Sequence, residues 1–204
     1  KYGSGKRYTT TEMSETVNAV VGSSGDYYGY RSIGIVVNNG QVFRDRGQLL
    51  DTCYIDDNGD LLFTHAGEIA DSETLKQFVD SNHIRFSLSF GPVMIQDGIN
   101  CVPRTYNSGE INRDYARAAL CQLGRLHYLL VAANLENPYL SVPTVKQFAE
   151  NLVQMGIPKA YALDGGQTAA IAMNHQLMNK VSYGSQRKIS DIIYFATALP
   201  ESVS

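Results

Sequence analysis

The chain has no tryptophan, only three cysteines and no long apolar run in its 204 residues. Cys53, Cys101 and Cys121 form no CxxC pair, and the four histidines are scattered along the chain. The sequence therefore predicts neither a zinc site nor a disulfide scaffold. Each cysteine lies among apolar neighbours, which favours thiols buried in the core.

Clusters of basic residues are also lacking, and the net charge is −3. The nearest approaches are Lys6-Arg7 and Arg187-Lys188, so we expect no general binding to nucleic acid or to a membrane surface. No apolar run approaches the about 18 residues of a membrane span. The polar start, Lys1 to Gly5, does not resemble a signal peptide. Its abruptness predicts that an N-terminal part of the natural chain is missing.

The residues that are present, 44% hydrophobic and 18% charged, are typical of a globular protein with a sizeable core. We predict an α+β fold in a single domain over residues 1–204. It would consist of a mixed, largely antiparallel sheet with two to four helices packed on it. Many short strands, few helices and the lack of a linker or repeat support this prediction.

Three helices are predicted from caps and apolar spacing. The first spans residues 9–22 after threonine caps, the second starts at Asp71 or Ser72, and Thr144 caps a third that ends at Gly156. Asn39-Gly40 predicts a type I′ hairpin. The acidic turn at residues 56–60 joins a second hairpin and is typical of a solvated turn rather than a calcium loop. Further strands are predicted at residues 33–37, 84–90, 115–120, 127–133, 169–173, 177–181 and 192–196.

A possible site lies where a short apolar run ends in Asp164, two glycines, Gln167 and Thr168. The run predicts a buried strand, and the glycines allow a sharp turn with close approach to the backbone. The carboxylate would then face a cleft at the strand end. The alternative is an ordinary turn, because Asp-Gly and Gly-Gly are common turn dipeptides.

Two other segments carry polar groups that a site could use. Residues 22–31 form a predicted glycine-rich loop that holds Asp26, three tyrosines and Arg31, and such loops often line sites. The alternative is a surface turn with half-buried tyrosines. Arg117 lies in an apolar stretch, where a charge needs a partner or an anion.

Taken in order, three stretches resemble one family over about residues 11 to 197. They are Gly25-Asp26-Tyr27-Tyr28-Gly29 with the hairpin after it, Ser89-Phe90-Gly91-Pro92 with Asp97-Gly98, and Ala162-Leu163-Asp164-Gly165-Gly166-Gln167-Thr168 with the strand after Arg187. The family is the phosphodiester glycosidases, which include the animal "uncovering enzyme". This sequence differs from the family pattern by having Ser24 or Ser23 in place of Asn, Gln167 in place of Gly, and Thr168-Ala169 in place of Ser-Ser.

The resemblance implies hydrolysis of a sugar-1-phosphate diester, with a phosphorylated carbohydrate as partner and no cofactor or metal. Asp164 would activate water or stabilise an oxocarbenium-like centre, with Asp26 as a second carboxylate. Arginine suits phosphate because it binds two oxygens at once; we prefer Arg117, then Arg31 or Arg187, and the alternative for each is a structural salt bridge. The remaining predicted substrate-binding residues are Ser24, Tyr27, Tyr28, Gly165, Gly166, Gln167 and Thr168.

Several alternatives remain open from the sequence. Attack could fall on the sugar carbon or on phosphorus. The domain could instead bind a glycan or phosphopolymer without cleaving it, or be purely structural, with Asp164 and Arg117 paired in the core. The resemblance implies a bacterial, extracellular or cell-surface setting and a substrate such as N-acetylglucosamine in an envelope polymer or exopolysaccharide. It implies nothing about protein partners.

Overall fold

The computed structural model describes residues 5–107, 110–134 and 142–197; residues 1–4 of the polar start lie outside this part. The described chain contains three α-helices: α1 (Thr10–Thr16), α2 (Ser72–Ser81) and α3 (Val145–Gln154). Its strands are β1 (Val21–Ser24), β2 (Gly34–Asn38), β3 (Gln41–Arg46), β4 (Thr52–Asp56), β5 (Leu61–Thr64), β6 (Ile84–Leu88), β7 (Val93–Gln96), β8 (Ile99–Asn100), β9 (Arg117–Gly124), β10 (His127–Ala133), β11 (Lys159–Leu163), β12 (Ile171–Met173), β13 (Gln176–Leu177) and β14 (Ile192–Phe195). The predicted α+β class is confirmed.

These strands form three antiparallel sheets. We call them the small sheet (order β13-β12-β1-β14), the middle sheet (β10-β9-β11-β7-β8) and the outer sheet (β3-β2-β6-β4-β5). All paired strands within the described residues are antiparallel. None of the helices in this part of the chain is long and apolar enough to cross a membrane.

The helix starts follow the predicted caps. The hydroxyls of Thr9 and Thr144 each accept a hydrogen bond from a backbone N–H in the first turn, and each cap is completed by a Glu or Gln three residues later. Asp71 caps α2 by accepting from the Thr74 N–H, without a Glu or Gln that completes the cap. These local pairings satisfy N–H groups that would otherwise lack partners, which is why sequence alone located them.

The first helix is shorter than the predicted range of residues 9–22. It ends at Thr16, and Asn18 adopts a left-handed conformation with φ 50°. Val20 then donates its N–H to Phe195, and β1 begins at Val21. Gly22 does not end a helix. A side chain there would collide with Ser14, because its Cβ would lie 2.5 Å from the hydroxyl oxygen.

The hairpin predictions are confirmed at Asn39-Gly40 and around residues 56–60. The predicted strand at residues 115–120 is wrong at both ends, because β9 spans Arg117–Gly124. Gln122 stays in the strand since its amide bonds across to the outer sheet, accepting from Leu61 and donating to Asp60. The predicted strand at residues 177–181 is also wrong beyond Leu177, where β13 ends.

The core is layered, with the middle sheet buried on both faces. Alternate residues of β11 face opposite ways: Ala160 and Ala162 pack towards α3, whereas Tyr161 and Leu163 pack towards the outer sheet. The other face of the outer sheet packs on α2. Two of the cysteines, Cys53 and Cys121, are buried free thiols as predicted, while the thiol-bearing Cys101 is only partly buried.

Candidate active site

Asp164 directly follows β11, at a point where the small and middle sheets meet. Its backbone N–H donates to the carbonyl of Gly25, and its carbonyl accepts from the Ser24 hydroxyl at 3.2 Å. These bonds attach the end of β11 to the end of β1. The predicted role of Ser24 in binding substrate therefore gives way to a structural one, because its side chain is buried in this junction.

The Asp164 side chain lies at a cleft of about 830 Å³. The residue is only 9% exposed, and its Oδ2 atom has no hydrogen-bond partner among the described residues. A buried carboxylate oxygen without a partner is unfavourable unless a ligand or water completes it. Asp164 thus has a carboxylate oxygen at the cleft that can bind a ligand or a water molecule.

The electrostatic surroundings raise the pKa of Asp164 to about 6. Burial is the largest cause, since it disfavours the charged form, and the charge of Asp26 adds to it. The Thr168 hydroxyl and Arg187 act in the opposite direction. A carboxylate with such a pKa can exchange protons near neutral pH, as a general acid or base requires.

The turn after Asp164 is shaped by its two glycines. At Gly165 a Cβ would lie 2.5 Å from the carbonyl oxygen of Ala116, and Gly166 has φ 62°. The N–H of Gly166 donates to Ala116 at 2.7 Å, and the Thr168 hydroxyl donates to the Gly165 carbonyl at 2.6 Å. The predicted use of the Gly166 amide and Thr168 hydroxyl to hold a substrate oxygen is therefore corrected: both donors are engaged within the protein.

Asp26 and Arg31 form a buried ion pair of 2.6 Å outside the cleft lining. Both oxygens of Asp26 are occupied, because Oδ1 also accepts from the Tyr27 amide and Oδ2 accepts from the Ser89 amide at 2.8 Å. Arg31 in turn donates to the Ser89 carbonyl. The pair joins the loop after β1 to the end of β6, and neither residue lines the cleft, while the contact with substrate stays a prediction.

Arg117 lines the cleft, yet most of its guanidinium is bound to backbone. Nε donates to the Pro143 carbonyl at 3.0 Å, and Nη2 donates to the carbonyls of Glu110 and Arg113. Burial lowers the pKa of Arg117. It forms no ion pair with Asp164 among the described residues. The purely structural alternative, which required that pairing, is therefore contradicted.

Arg187 lines the cleft, as its predicted role in binding the phosphate requires. Its guanidinium carbon lies 4.9 Å from the ring centre of Tyr30 and 5.6 Å from that of Tyr27, which are cation–π distances. Partial burial lowers the pKa of Arg187, but the Tyr27 hydroxyl and the charge of Asp164 outweigh it and raise the pKa. Arg187 and Tyr27 both line the cleft, and Arg187 is exposed to solvent.

The tyrosines of the glycine-rich loop play different parts. Tyr27 stacks on Tyr30 with ring centres 4.6 Å apart and meets Phe90 edge-on, so one face of its ring is already covered. Tyr28 does not line the cleft; its hydroxyl contacts the Ser190 carbonyl at 3.4 Å. The predicted stacking of Tyr28 on a sugar is corrected. Tyr27 could contact a sugar only through the part of its ring that Tyr30 and Phe90 do not cover.

Sequence reasoning missed four residues around the site. Lys180, Tyr183 and Asn134 line the cleft, and no motif marks them. Asp191 lies beneath it, where Oδ2 accepts from the Asp26 amide at 3.0 Å, and burial with the Asp26 charge raises the pKa of Asp191 well above its usual range. The only signal for Asp191 was its place in the segment after Arg187 that resembles the family.

Two solved structures are similar to this chain in fold. A catalytic domain of N-acetylglucosamine-1-phosphodiester alpha-N-acetylglucosaminidase from zebrafish, auto-inhibited by its pro-peptide, matches 95% of this chain and 68% of its own, with a TM-score of 0.72 and 18% identity. A hypothetical protein from Synechocystis matches 93% of this chain and 54% of its own, with a TM-score of 0.61 and 12% identity. No curated protein sequence matches significantly. At these identities the structures show a shared fold.

A family model provides the assignment. The model described as phosphodiester glycosidase matches residues 14–196, which is most of the chain and includes the ends of β1 and β11 that meet at Asp164. The resemblance read from the three sequence stretches is confirmed, and the chain belongs to the phosphodiester glycosidase family.

Proposed function

We propose that this protein hydrolyses a sugar-1-phosphate diester and releases the sugar. The observation that carries the proposal is the buried Asp164 carboxylate, with one unpartnered oxygen and a pKa of about 6, at a cleft that Arg187 also lines. Family membership supports the same reaction class. The name of the zebrafish relative supports N-acetylglucosamine as the sugar.

The cleft has a basic side that suits a phosphodiester. Lys180 and Arg187 lie on one lining segment, whereas another carries Glu110, which is paired with Arg113 at 2.8 Å, together with Asp114 and Arg117. The opposite charges of the second segment offset one another, while Lys180 and Arg187 attract a negatively charged phosphate, so it binds beside Arg187. The sugar then extends towards Asp164 and the second segment, where polar side chains can form hydrogen bonds with its hydroxyl groups.

Asp164 acts in its ionised form on a water molecule. The water oxygen attacks C1 of the sugar, its proton passes to Asp164, and the bond between C1 and the phosphate oxygen breaks with its electron pair on the leaving phosphate monoester. Because that group leaves readily, little acid catalysis is needed at its oxygen. Activity therefore rises with pH through about 6, as Asp164 loses its proton.

The proposal extends to the setting of the reaction. Family resemblance favours an extracellular or cell-surface role for a bacterial protein, acting on an envelope polymer or exopolysaccharide. Such polymers contain sugar-phosphodiester links, which the charge distribution of the cleft lining suits.

The test is hydrolysis of a defined N-acetylglucosamine-1-phosphodiester by Asp164→Asn. We expect kcat/KM to fall about 10²- to 10⁴-fold, the usual effect of losing a general base, with an unchanged circular dichroism spectrum. Asp57→Asn is the matched control, because Asp57 is exposed in the turn between β4 and β5 and does not line the cleft. Near-normal turnover by Asp164→Asn would refute the assignment.

Reaction in heavy-oxygen water decides the point of attack. Label in the released sugar supports attack on C1, whereas label in the phosphate contradicts it and indicates phosphodiesterase chemistry. If the unmodified protein binds a panel of sugar-1-phosphodiesters without releasing sugar from any, the binding-module alternative replaces the enzyme.

A further inference from the structure

Tyr183 is held in an unfavourable state beside the cleft. It lies in a short 3₁₀ turn, Ser182–Gly184, with φ 62° and ψ 14°, a left-handed conformation that a bulky residue rarely adopts. It is also 89% exposed, so its ring gains almost nothing from burial. Backbone strain in a residue whose ring is left exposed suggests that the ring serves a ligand.

The turn that carries Tyr183 is fixed in place on both sides. Gly184 donates its N–H to the carbonyl of the buried Val181 at 3.1 Å. Gln167 donates from Nε2 to the carbonyl of Ser185 at 3.0 Å and to its hydroxyl at 3.3 Å. The ring is thus presented by a turn that is tied to the segment directly after Asp164.

Gln167 stands where the family pattern has glycine, which cannot make these bonds. The amide therefore links the Asp-Gly-Gly turn to the Tyr183 turn through a feature of this particular chain. Because Gln167 acts through Ser185 and Tyr183, it is a positioning residue.

The surroundings of Tyr183 indicate which part of a substrate it meets. Lys180 precedes it by three residues and Arg187 follows it by four, and all three line the cleft. The phosphate of the proposed substrate binds on this basic segment, with the sugar to be released lying towards Asp164, which acts at its C1. The group beyond the phosphate, which leaves with it, then lies against the exposed ring.

We propose that Tyr183 forms an acceptor subsite, stacking on a sugar ring attached to the leaving side of the phosphate, and that Gln167 positions it. This inference rests on the proposed function. An aromatic face suits the apolar C–H face of a sugar ring, while Lys180 and Arg187 hold the adjacent phosphate.

The experiment compares two substrates that differ only beyond the phosphate. One is N-acetylglucosamine-1-phosphate esterified to a hexose, and the other is its methyl ester. We expect Tyr183→Ala to lower kcat/KM for the hexose ester about fivefold to tenfold, mainly through KM, and to leave the methyl ester unchanged. Gln167→Met removes the amide donors at similar volume. We expect it also to lower kcat/KM for the hexose ester relative to kcat/KM for the methyl ester.

Tyr194→Ala is the matched control, since Tyr194 is 47% exposed on β14 and does not line the cleft. This variant should leave kcat/KM unchanged for both substrates. Equal losses on both substrates for Tyr183→Ala, or no loss on either, would overturn the acceptor subsite.

A binding measurement separates this inference from the proposed reaction. Titration with a hexose 6-phosphate, the product on the leaving side, needs no catalysis. We expect Tyr183→Ala to weaken its Kd by about the same factor, while inorganic phosphate binds both proteins equally. If the unmodified protein hydrolyses neither diester but Tyr183→Ala still binds hexose 6-phosphate more weakly, the proposed reaction is refuted and the subsite is supported. Equal binding of hexose 6-phosphate by both proteins refutes the subsite.

Discussion

The fold raises the pKa of one carboxylate, Asp164. In sequence it is an aspartate before two glycines. In the structure it is buried at the end of β11, which is bonded to the end of β1, and desolvation raises its pKa to about 6. The same residue in a solvated turn would be ionised throughout the neutral range and too weak a base to catalyse efficiently.

This pKa makes stability depend on pH in a defined direction. Because the folded pKa lies above the unfolded value of 3.8, the native state binds more protons between the two values. Stability from this group is therefore greatest below about pH 4 and falls as pH rises through about 6. We expect Asp164→Asn to be more stable than the unmodified protein at pH 7.5, by roughly 2 to 3 kcal/mol.

Urea denaturation at pH 4 and pH 7.5 measures this effect. The gain of Asp164→Asn should shrink to less than about 1 kcal/mol at pH 4, where the native carboxyl group is protonated and the unfolded one is about half protonated. Asp57→Asn should show no such pH-dependent gain. If Asp164→Asn were less stable than the unmodified protein at pH 7.5, burial would not be the dominant influence on its pKa.

At the scale of elements, a buried ion pair helps to hold the loop between β1 and β2, together with hydrogen bonds from Arg44 to the carbonyls of Tyr28 and Ile33. Asp26 is 4% exposed and binds Arg31 together with the amides of Tyr27 and Ser89. A buried carboxylate that loses its cation remains desolvated without compensation. Arg31 thus contributes to the position of the loop that carries Tyr27 to the cleft.

We expect Arg31→Met to lower the free energy of unfolding by about 3 kcal/mol, towards the low end for a broken buried pair, because two amides still bind Asp26. Arg113→Met is the matched control. It breaks the ion pair with Glu110, in which both side chains are at least half exposed, and should cost less than about 1 kcal/mol. Equal losses in thermal or urea unfolding would contradict the structural role of the Asp26–Arg31 pair.

The elements themselves were predictable where their signals are local. Caps at Thr9, Asp71 and Thr144 and the turn at Asn39-Gly40 were located from a few adjacent residues. Helix α1 was predicted too long because Val17, Val20 and Val21 fit helical spacing equally well. Pairing of β1 with β12 and β14 decides their conformation, and strand pairing across the chain has no local signal.

At the scale of the whole molecule, the middle and outer sheets are held together by a shared apolar core. Leu120 of β9 is 1% exposed and packs in the cluster that includes Cys53 and Leu61 of the outer sheet and Tyr161 of β11. The Tyr161 hydroxyl also donates to the Asp51 carbonyl at 2.8 Å, just before β4. The packing of these sheets holds Asp164 at the end of β11.

Leu120→Ala should reduce the free energy of unfolding by about 2 to 5 kcal/mol, because it removes buried methyl groups and leaves a cavity. Met155→Ala is the control, since Met155 is 65% exposed at the end of α3, and it should change stability by less than about 0.5 kcal/mol. Urea unfolding measures both. A small effect of Leu120→Ala would mean that the two sheets do not depend on this core.

The sequence by itself determined the α+β class, the helix caps, the family and the candidate carboxylate Asp164. All of these rest on adjacent residues or on the order of short motifs. Only the tertiary structure decided which polar residues share the cleft. Asp26 and Arg31 neutralise each other away from it, Arg117 bonds to backbone carbonyls, and Lys180 and Tyr183 enter it from an unmarked segment. The reason is physical: burial and pairing depend on strands that meet in space, and a short motif carries no information about its distant partners.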